Sequence, residues 1–295
     1  MKLILSLLLV VLTLIGAAAA ALAYWPIEPD EISISLKGDP QRGAYLARMS
    51  GCIACHTNST KGGAPLAGGV ALKTEFGIFY TPNLTTDKEF GIGAWTLNDF
   101  TNAVRHGISK SGEPYYPAFP YPFYSKISDQ DVVDLWAAFK TVPAVKEPSK
   151  PLELKFPFNF RPGLKLWRYA FLDETLTEPI PEKSAAWNRG KYIVEGPAHC
   201  GACHTLRNLA GARKFDQRLQ GAGDLPNGGK SPSITTAKLL AKGWTVSNLK
   251  YALKIGVQPD GDVFGGAMGE IVNEGTSFLN DDDLDAIAIY LLNKE

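Results

Sequence analysis

Most of this chain places apolar residues at the spacing of amphipathic helices, and the predicted helices come in matched pairs. Residues 128–142 and 279–294 each begin with acidic residues and continue with apolar positions at i, i+4 spacing, which predicts a helix with one buried face. Residues 95–107 and 244–256 each carry a Thr at the N-cap position and a Gly just past the end, so each predicts a further helix. The pattern indicates a helical protein built from two similar units.

The first residues differ from this pattern because they form one continuous run of small and apolar side chains. Residues 3–23 contain no charged residue, Lys2 precedes them, and Tyr24 and Trp25 follow. A run of this length is close to the roughly 20 residues that span a bilayer, and the two aromatic residues suit its interface. The sequence "ALA" at the end of the run would equally serve as the cleavage site of a signal peptide. We expect residues 1–25 to be a retained anchor or a cleaved signal, and either places the rest of the chain outside the cytoplasm.

Short motifs repeat in the same order on both sides of a proline-rich middle segment. "RGAYLARMSG" (42–51) and "TPNLT" (81–85) in the first unit correspond to "RGKYIVEGPAH" (189–199) and "SPSIT" (231–235) in the second. Repeats of this kind indicate two copies of one supersecondary unit. Between the copies, residues 143–184 carry seven prolines and the aromatic run "FPFNFRPGLKLW". A flexible linker would be richer in Gly and Ser, so we expect this segment, the strap, to be ordered and packed across the two units.

The composition limits the possible functions. The 295 residues leave room for a leader and two domains, and with 45% hydrophobic and 20% charged residues the chain can form cores. Thirty basic and thirty acidic residues cancel. The net charge therefore gives no support to nucleic acid as a partner, and we expect none.

The candidate chemistry lies in the four cysteines. They form two C-x-x-C-H motifs, which are "CIACH" with Cys52, Cys55 and His56, and "CGACH" with Cys200, Cys203 and His204. Two thiols at this spacing can add to the two vinyl groups of one haem, and the following His is then held under the iron as an axial ligand. Each motif predicts covalent attachment of one haem c, which gives two haems for the chain.

Other uses of cysteine fit the motifs less well. In a zinc site with four cysteines the second pair usually follows the first by about 15–20 residues, whereas Cys55 and Cys200 are far apart and both histidines would be unused. A thioredoxin-like redox pair explains one C-x-x-C but neither its repetition nor the His. Disulfides are common in exported proteins with an even cysteine count, but they too leave the histidines unexplained. The haem interpretation accounts for all four cysteines.

Longer segments resemble the exported dihaem cytochromes c that are related to the cytochrome c subunits of bacterial alcohol, gluconate and aldehyde dehydrogenases. Besides the two C-x-x-C-H motifs, the matching segments are "TPNLTTDKEFGIGAW" (81–95), "YYPAFPY" (115–121), "AAWNRGKYIVEGPAHCGACH" (185–204) and "GGAMGEIV" (265–272). The resemblance covers essentially all of the chain after the leader. The dehydrogenase subunits carry three such haem units, whereas this chain carries two.

The resemblance implies an all-α fold with two class I cytochrome c-like helical domains in tandem, joined by the Pro- and aromatic-rich strap and preceded by the apolar helix. We expect a leader at residues 1–25, a first cytochrome domain at 36–142, the strap at 143–184 and a second cytochrome domain at 185–295. In this family a Met from the loop before the last helix binds the iron opposite the His. This assigns Met268 as the distal ligand of the second haem, and Met ligation raises the reduction potential.

The first unit lacks this Met. Phe119 stands at the position of the family's distal Met, and Ile127 occupies the place where some relatives carry a Met instead. Neither side chain has a lone pair for the iron. His106 is our candidate distal ligand of the first haem because its counterpart in the repeat is the apolar Ile255, although a helical wheel puts His106 opposite the apolar face. An open iron and ligation by Lys126 are the alternatives.

The residues and the resemblance lead to one main function. We expect a dihaem c-type cytochrome that transfers electrons between a periplasmic or membrane dehydrogenase and the respiratory chain, with an oxidase or a soluble cytochrome as acceptor. We expect it on the periplasmic side of the inner membrane, held by the apolar helix, or in the soluble periplasm after cleavage. The alternative is a dihaem enzyme, peroxidase-like or thiosulfate-oxidising, that uses an open or unusual first haem.

Overall fold

The structure, a computed structural model, describes residues 2–25, 27, 35–173, 178–223 and 225–294. In these residues the protein is mostly helical, with one long apolar helix near the N-terminus and a small antiparallel sheet. The parts of the predicted leader, strap and second domain at residues 1, 174–177, 224 and 295 lie outside the described residues.

Helices lie at each of the predicted positions, and further helices lie between them. They are α1 (Lys2–Tyr24), α2 (Pro40–Met49), α3 (Cys52–His56), α4 (Leu97–Thr101), α5 (Tyr121–Tyr124), α6 (Asp129–Phe139), α7 (Gly163–Phe171), α8 (Ala185–Glu195), α9 (Gly201–His204), α10 (Thr236–Ala241), α11 (Val246–Ile255), α12 (Gly266–Glu274) and α13 (Asp281–Leu291). Short 3₁₀ turns lie at Ser59–Lys61, Phe215–Gln217, Pro226–Gly228 and Thr276–Phe278.

Helix α1 confirms the predicted apolar helix. None of its 23 residues is buried. Within the described ranges it is the one helix that is long and apolar enough to cross a membrane. A membrane anchor and a signal sequence share this length and composition.

A three-stranded antiparallel sheet interrupts the helical pattern, and the all-α prediction missed it. Strands β1 (Ala71–Thr74) and β2 (Gly77–Tyr80) form a hairpin, and β3 (Glu153–Leu154) from the strap pairs with β2. Gly77 has a φ of 133°, and a Cβ there would lie 2.3 Å from the carbonyl oxygen of Glu153. The close approach of the strap therefore requires a glycine. The strands are too short to give a clear alternating pattern in the sequence.

Two crossed helix pairs form the cores of the halves that lie before and after the strap. Helix α2 packs on α6 in the first half, and α8 packs on α13 in the second. A Cβ on Gly43 would lie 1.8 Å from the Asp134 carbonyl oxygen, and one on Gly190 would lie 2.0 Å from that of Ala286. The glycine of each "RGxY" motif is thus explained by backbone contact at a helix crossing. The predicted apolar stripes of the last helices are buried in these cores, at Leu135, Phe139, Ile287 and Leu291.

The predicted helix at residues 95–107 is irregular in its second part. After α4 the chain forms a single π-helical turn at Asn102–His106, whereas the matching helix α11 is α-helical throughout. The side chains of Thr101 and Asn102 donate hydrogen bonds of 2.8 and 3.0 Å to carbonyl groups one turn earlier, and such bonds disturb the helical ladder. A wheel drawn for a regular α-helix therefore misplaces the end of this segment, including His106.

The strap contacts both halves. In the first half, Asn83 donates from its amide group to the carbonyl oxygens of Val145 and Glu147, at 2.8 and 2.9 Å. In the second half, the carbonyl oxygen of Ala210 accepts a hydrogen bond of 2.9 Å from the indole of Trp167 on α7. The strap is therefore held by polar contacts to both halves.

The two halves are also joined directly, by a reciprocal pair of tyrosine–aspartate hydrogen bonds. Tyr45 on α2 donates to Asp283 at the start of α13, with 2.7 Å between the oxygens. Tyr192 on α8 donates to Asp131 at the start of α6. Arg189 adds two hydrogen bonds of 2.7 and 2.9 Å to Asp283. The two tyrosines occupy the same position in the repeated "RGxY" motifs. The repeated sequence therefore produces two equivalent contacts between the halves, one in each direction.

The charge of Asp283 is stabilised at this contact. Burial alone would raise the pKa of its carboxyl group, but the hydrogen bonds from Arg189 and Tyr45 outweigh that effect and hold the pKa below its usual value. A carboxyl group whose pKa is lowered by folding adds stability that is present above its unfolded pKa of about 3.9. That stability is lost as the pH falls through the folded pKa.

We expect Tyr45→Phe to lower the free energy of unfolding by about 1.5–3 kcal/mol at pH 7, because a hydrogen bond to a charged group is lost. The loss should shrink as the pH falls below about 4 and Asp283 becomes protonated. Guanidinium unfolding followed by far-UV circular dichroism, at neutral pH and at about pH 3, measures both values. Tyr251→Phe changes an exposed tyrosine and is the matched control. An equal loss in the two variants, or a loss that does not depend on pH, would contradict the prediction.

Candidate haem-attachment sites

The first C-x-x-C-H motif forms the short helix α3, which begins after Gly51 in a left-handed conformation with φ of 67°. The Nδ1 atom of His56 lies 2.9 Å from the carbonyl oxygen of Pro82, in the "TPNLT" segment. Since a carbonyl oxygen can only accept, Nδ1 carries the proton and Nε2 keeps its lone pair. The imidazole is thus oriented to bind a metal through Nε2.

The second motif repeats this arrangement. The Nδ1 atom of His204, at the end of α9, lies 2.8 Å from the carbonyl oxygen of Pro232 in the "SPSIT" segment. Burial lowers the pKa of His56 to about 4, and it also lowers the pKa of His204. Both imidazoles are therefore neutral near pH 7, which is the form that binds a metal.

All four cysteines are free thiols. Each pair lies at the same helical turn as the histidine of its motif. Burial raises the pKa of Cys52 to about 12, that of Cys55 to about 11 and that of Cys200 to about 12, and it raises the pKa of Cys203 as well. Two thiols and one oriented imidazole on each turn are the donor set that covalent haem attachment needs. The residues present therefore fit a haem c at each motif.

The residue after each histidine is a threonine that makes the same hydrogen bond in both halves. The hydroxyl oxygens of Thr57 and Thr205, directly after the two histidines, accept from the backbone NH groups of Leu66 and Leu219, both at 3.1 Å. Neither threonine is among the predicted site residues, although both motifs read "CHT". Their agreement in the two copies was the available signal.

Two glycines bring the proline segments onto the histidines. The backbone NH groups of Gly68 and Gly221 donate to the carbonyl oxygens of His56 and His204, at 2.7 and 2.9 Å. Both glycines have positive φ, 78° and 92°. A Cβ on Gly68 would lie 2.5 Å from the backbone of Pro82. A side chain at this position would push the proline carbonyl away from the imidazole.

The two motifs lie next to each other. The ring of His199, just before the second motif, lies 3.5 Å from the position of a Cβ on Gly51, just before the first. Tyr124 packs on His199 with 5.4 Å between ring centroids and donates a hydrogen bond of 2.5 Å to the carbonyl oxygen of Ser50. The starts of both attachment turns are therefore in contact through one buried tyrosine.

Each motif is also covered by a helix from the other half. On α5, a ring carbon of Phe123 lies 3.0 Å from the position of a Cβ on Gly201, inside the second motif. Helix α12 packs on α3, and its Glu270 lies close enough to Cys55 to raise the pKa of that thiol further. Each half thus contributes one helix that packs on the motif of the other half, just as each contributes one tyrosine to the tyrosine–aspartate bonds.

The predicted distal positions differ between the halves. Met268 lies in the first turn of α12, half-buried, and packs against the hydrophobic core. Phe119 sits in an aromatic cluster in the first half, with ring centroids 6.0, 6.3 and 5.7 Å from those of Tyr115, Tyr121 and Tyr124. The Tyr124 ring connects this cluster to the first attachment turn.

Three other residues bear on the first distal position, and each lies in a different environment: Ile127, His106 and Lys126. Ile127 is buried, and its carbonyl oxygen accepts a hydrogen bond of 2.5 Å from Arg105. His106 ends the π turn, and its carbonyl oxygen accepts from Arg168 of the strap. Lys126 lies beside α8, where burial lowers the pKa of its ammonium group. His106 is thus tied to the strap, and Lys126 faces the second half.

Known proteins resemble this chain over most of its length. Diheme cytochrome c-type of Cereibacter sphaeroides is 38% identical over an alignment that covers 95% of this chain and 94% of that protein. The gluconate 2-dehydrogenase cytochrome c subunit of Pantoea cypripedii is 39% identical over 85% of this chain, which spans 58% of that subunit. A nicotinate dehydrogenase subunit of Pseudomonas putida is 36% identical over 95% of this chain, which spans only 24% of that subunit. No protein-family model matches the sequence.

A mostly helical protein with two thiols and an oriented imidazole on one turn has the features of a c-type cytochrome. The chain belongs to the family of diheme c-type cytochromes that are related to the cytochrome c subunits of dehydrogenases. Members of this family hold haem c covalently.

We expect Thr205→Val to lower the free energy of unfolding by about 1–3 kcal/mol, because the buried NH group of Leu219 loses its acceptor. Thr205→Ser keeps the hydroxyl group and should retain most of this stability. Guanidinium unfolding of the haem-loaded protein, followed by far-UV circular dichroism, compares the two variants. If both lose the same amount, the hydrogen bond is not the stabilising contact.

Proposed function

We propose that this chain is a dihaem c-type cytochrome that accepts electrons from a dehydrogenase and passes them to the respiratory chain. The observation that carries the proposal is the duplicated turn in which a proline carbonyl holds an imidazole beside two thiols. Each haem, once attached, supplies a one-electron iron couple. Relatives named as dehydrogenase cytochrome subunits support a dehydrogenase as donor, and an oxidase or a soluble cytochrome would be the acceptor.

In the second half, Cys200 and Cys203 would form the two thioether bonds. His204 would bind the iron through Nε2, because its Nδ1 proton is already used by Pro232. Met268 would be the second side-chain ligand of this iron; the assignment comes from the family pattern, since α12 itself packs on α3 of the first motif. A Met ligand raises the reduction potential, so we assign the higher potential to this half.

In the first half, Cys52 and Cys55 would attach the haem and His56 would bind the iron. The distal side differs because Phe119 has no donor atom. His106 remains our candidate distal ligand. The helical wheel placed His106 opposite the apolar face, but that wheel assumes a regular α-helix, and Asn102–His106 form a π turn. Ligation by two histidines would give a lower reduction potential than ligation by a histidine and a methionine, so the first half would hold the more reducing group and the second the more oxidising one.

The two motifs belong to two separate halves of the chain. We assign class I cytochrome c-like domains to residues 36–142 and 185–295, joined by the strap at 143–184. The crossed helix pairs α2/α6 and α8/α13 support this division. Helix α1, within residues 1–25, would hold the protein on the periplasmic side of the inner membrane, and a soluble periplasmic form would result if it is removed as a signal.

The haem count tests the attachment residues directly. We expect two haems in the wild-type chain and one in each double variant, Cys52→Ala/Cys55→Ala and Cys200→Ala/Cys203→Ala, because each pair of thiols attaches its own haem. Pyridine haemochrome absorbance and intact mass measure the count. The two variants serve as matched controls for each other. A colourless wild-type protein, or one with a single haem, would contradict the proposal.

Low-temperature electron paramagnetic resonance of the oxidised protein tests the distal ligands. We expect Met268→Leu to convert one low-spin signal to high spin, and His106→Ala to convert the other, because each change removes one axial ligand. A redox titration should give two different potentials, with the lower one in the first half.

The spectra also separate the carrier from the alternative function. A high-spin component in the wild-type protein would show that the first iron has no side-chain ligand on its distal face, and it would favour a dihaem enzyme over a carrier. Steady-state turnover with peroxide and with thiosulfate then distinguishes a peroxidase-like protein from a thiosulfate-oxidising one.

A further inference from the structure

Helix α7 in the strap carries apolar side chains both toward the body of the protein and on its exposed side. Its sequence, "GLKLWRYAF", contains two charged side chains, and both are used in contacts: Lys165 binds the end of α1, and Arg168 binds the carbonyl oxygen of His106. Trp167 faces inward and donates to Ala210. None of the nine residues is buried. Apart from Lys165 and Arg168, the helix carries only glycine, aliphatic and aromatic residues, so its exposed side is largely apolar as well.

The outward face of α7 is formed by Leu166, Tyr169 and Ala170, which share one side at i, i+3 and i+4 spacing. Leu166 is 53% exposed and Tyr169 is 89% exposed. Phe156, earlier in the strap, is 85% exposed. The strap thus presents large apolar side chains that no other described part of the chain covers.

The position of α7 is fixed relative to the C-terminal end of α1. The Nζ atom of Lys165 donates to the carbonyl oxygens of Ala23 and Trp25, at 2.9 and 2.5 Å. These carbonyl groups lie where a helix end leaves its acceptors without partners in the helix. If α1 spans a bilayer, Tyr24 and Trp25 mark the interface at which it leaves the hydrocarbon region. Helix α7 then lies no farther from that interface than the length of the Lys165 side chain.

The basic residues of the strap are concentrated before and within α7, whereas residues 174–184 carry three acidic residues and one basic residue. Between residues 143 and 173 it has six basic residues (146, 150, 155, 161, 165 and 168) and three acidic ones (147, 153 and 173). Interfacial helices combine an apolar face that enters the headgroup boundary with cations at its edge. The part of the strap at residues 143–173 combines the same two features.

We propose that the outward face of α7 lies on the lipid bilayer that α1 enters, as an interfacial helix beside a membrane-spanning one. The inference rests on the anchored form of the proposed function. Two attachments, α1 and α7, would fix the tilt of the body of the protein relative to the membrane. A single helix followed by a linker would leave that tilt free.

Photo-crosslinking tests this contact in the full, haem-loaded chain. The variants are Tyr169→p-benzoylphenylalanine on α7, Leu12→p-benzoylphenylalanine inside α1 and Tyr251→p-benzoylphenylalanine on the exposed side of α11. Each is placed in vesicles of phosphatidylethanolamine with a minority of phosphatidylglycerol, with no other protein present. Irradiation followed by intact mass detects covalent phospholipid adducts.

We expect lipid adducts at residues 12 and 169 and none at residue 251. An adduct at residue 12 without one at residue 169 would overturn the proposal, and irradiation in native membranes would then show whether a protein partner covers the face. Loss of α1 from the purified chain would also overturn it, because the depth of α7 depends on α1. The haem count of the same samples shows separately whether the proposed cytochrome function fails.

Discussion

The hydrogen bond from each histidine Nδ1 to a proline carbonyl is the contact on which both candidate sites depend. It fixes the ring orientation and the tautomer together, and it leaves Nε2 available for a metal. The nearby features serve to hold that carbonyl in place. Gly68 and Gly221 allow the proline segment to approach, and Thr57 and Thr205 tie the intervening loops back to the motif. Each motif of five residues thus depends on a proline that lies 26 or 28 residues further along the chain.

The second organising feature is reciprocity between the halves. Tyr45 and Tyr192 each donate a hydrogen bond to the last helix of the other half. In the same way, α5 and α12 each pack on the attachment turn of the other half. Contacts of this kind make the two halves one packed unit. The buried Tyr124 between the motifs belongs to the same interface. The geometry between the two sites is therefore determined by packing, and the strap supports it from outside.

Local patterns predicted the parts of the molecule that depend on local chemistry. The apolar helix, the paired helices, their buried stripes and the donor set at Cys52–His56 could be read from spacing alone, because each involves residues a few positions apart. The Tyr45–Asp283 bond joins residues 238 positions apart, and sequence spacing carries no information about such a distance. The sheet was missed because β3 is two residues long, and the π turn because it depends on side-chain bonds inside a helix. Phe119 was visible as a departure from the family, but its aromatic surroundings come from tertiary packing.

The reciprocal covering of the motifs makes each half depend on the other. Helix α12 from the second half packs on the first attachment turn, and Phe123 of α5 from the first half lies over the second. Neither half alone therefore contains all of the packing around its own motif. Two fragments made by dividing the chain at the strap would accordingly each lack part of the frame around their own cysteines and histidine.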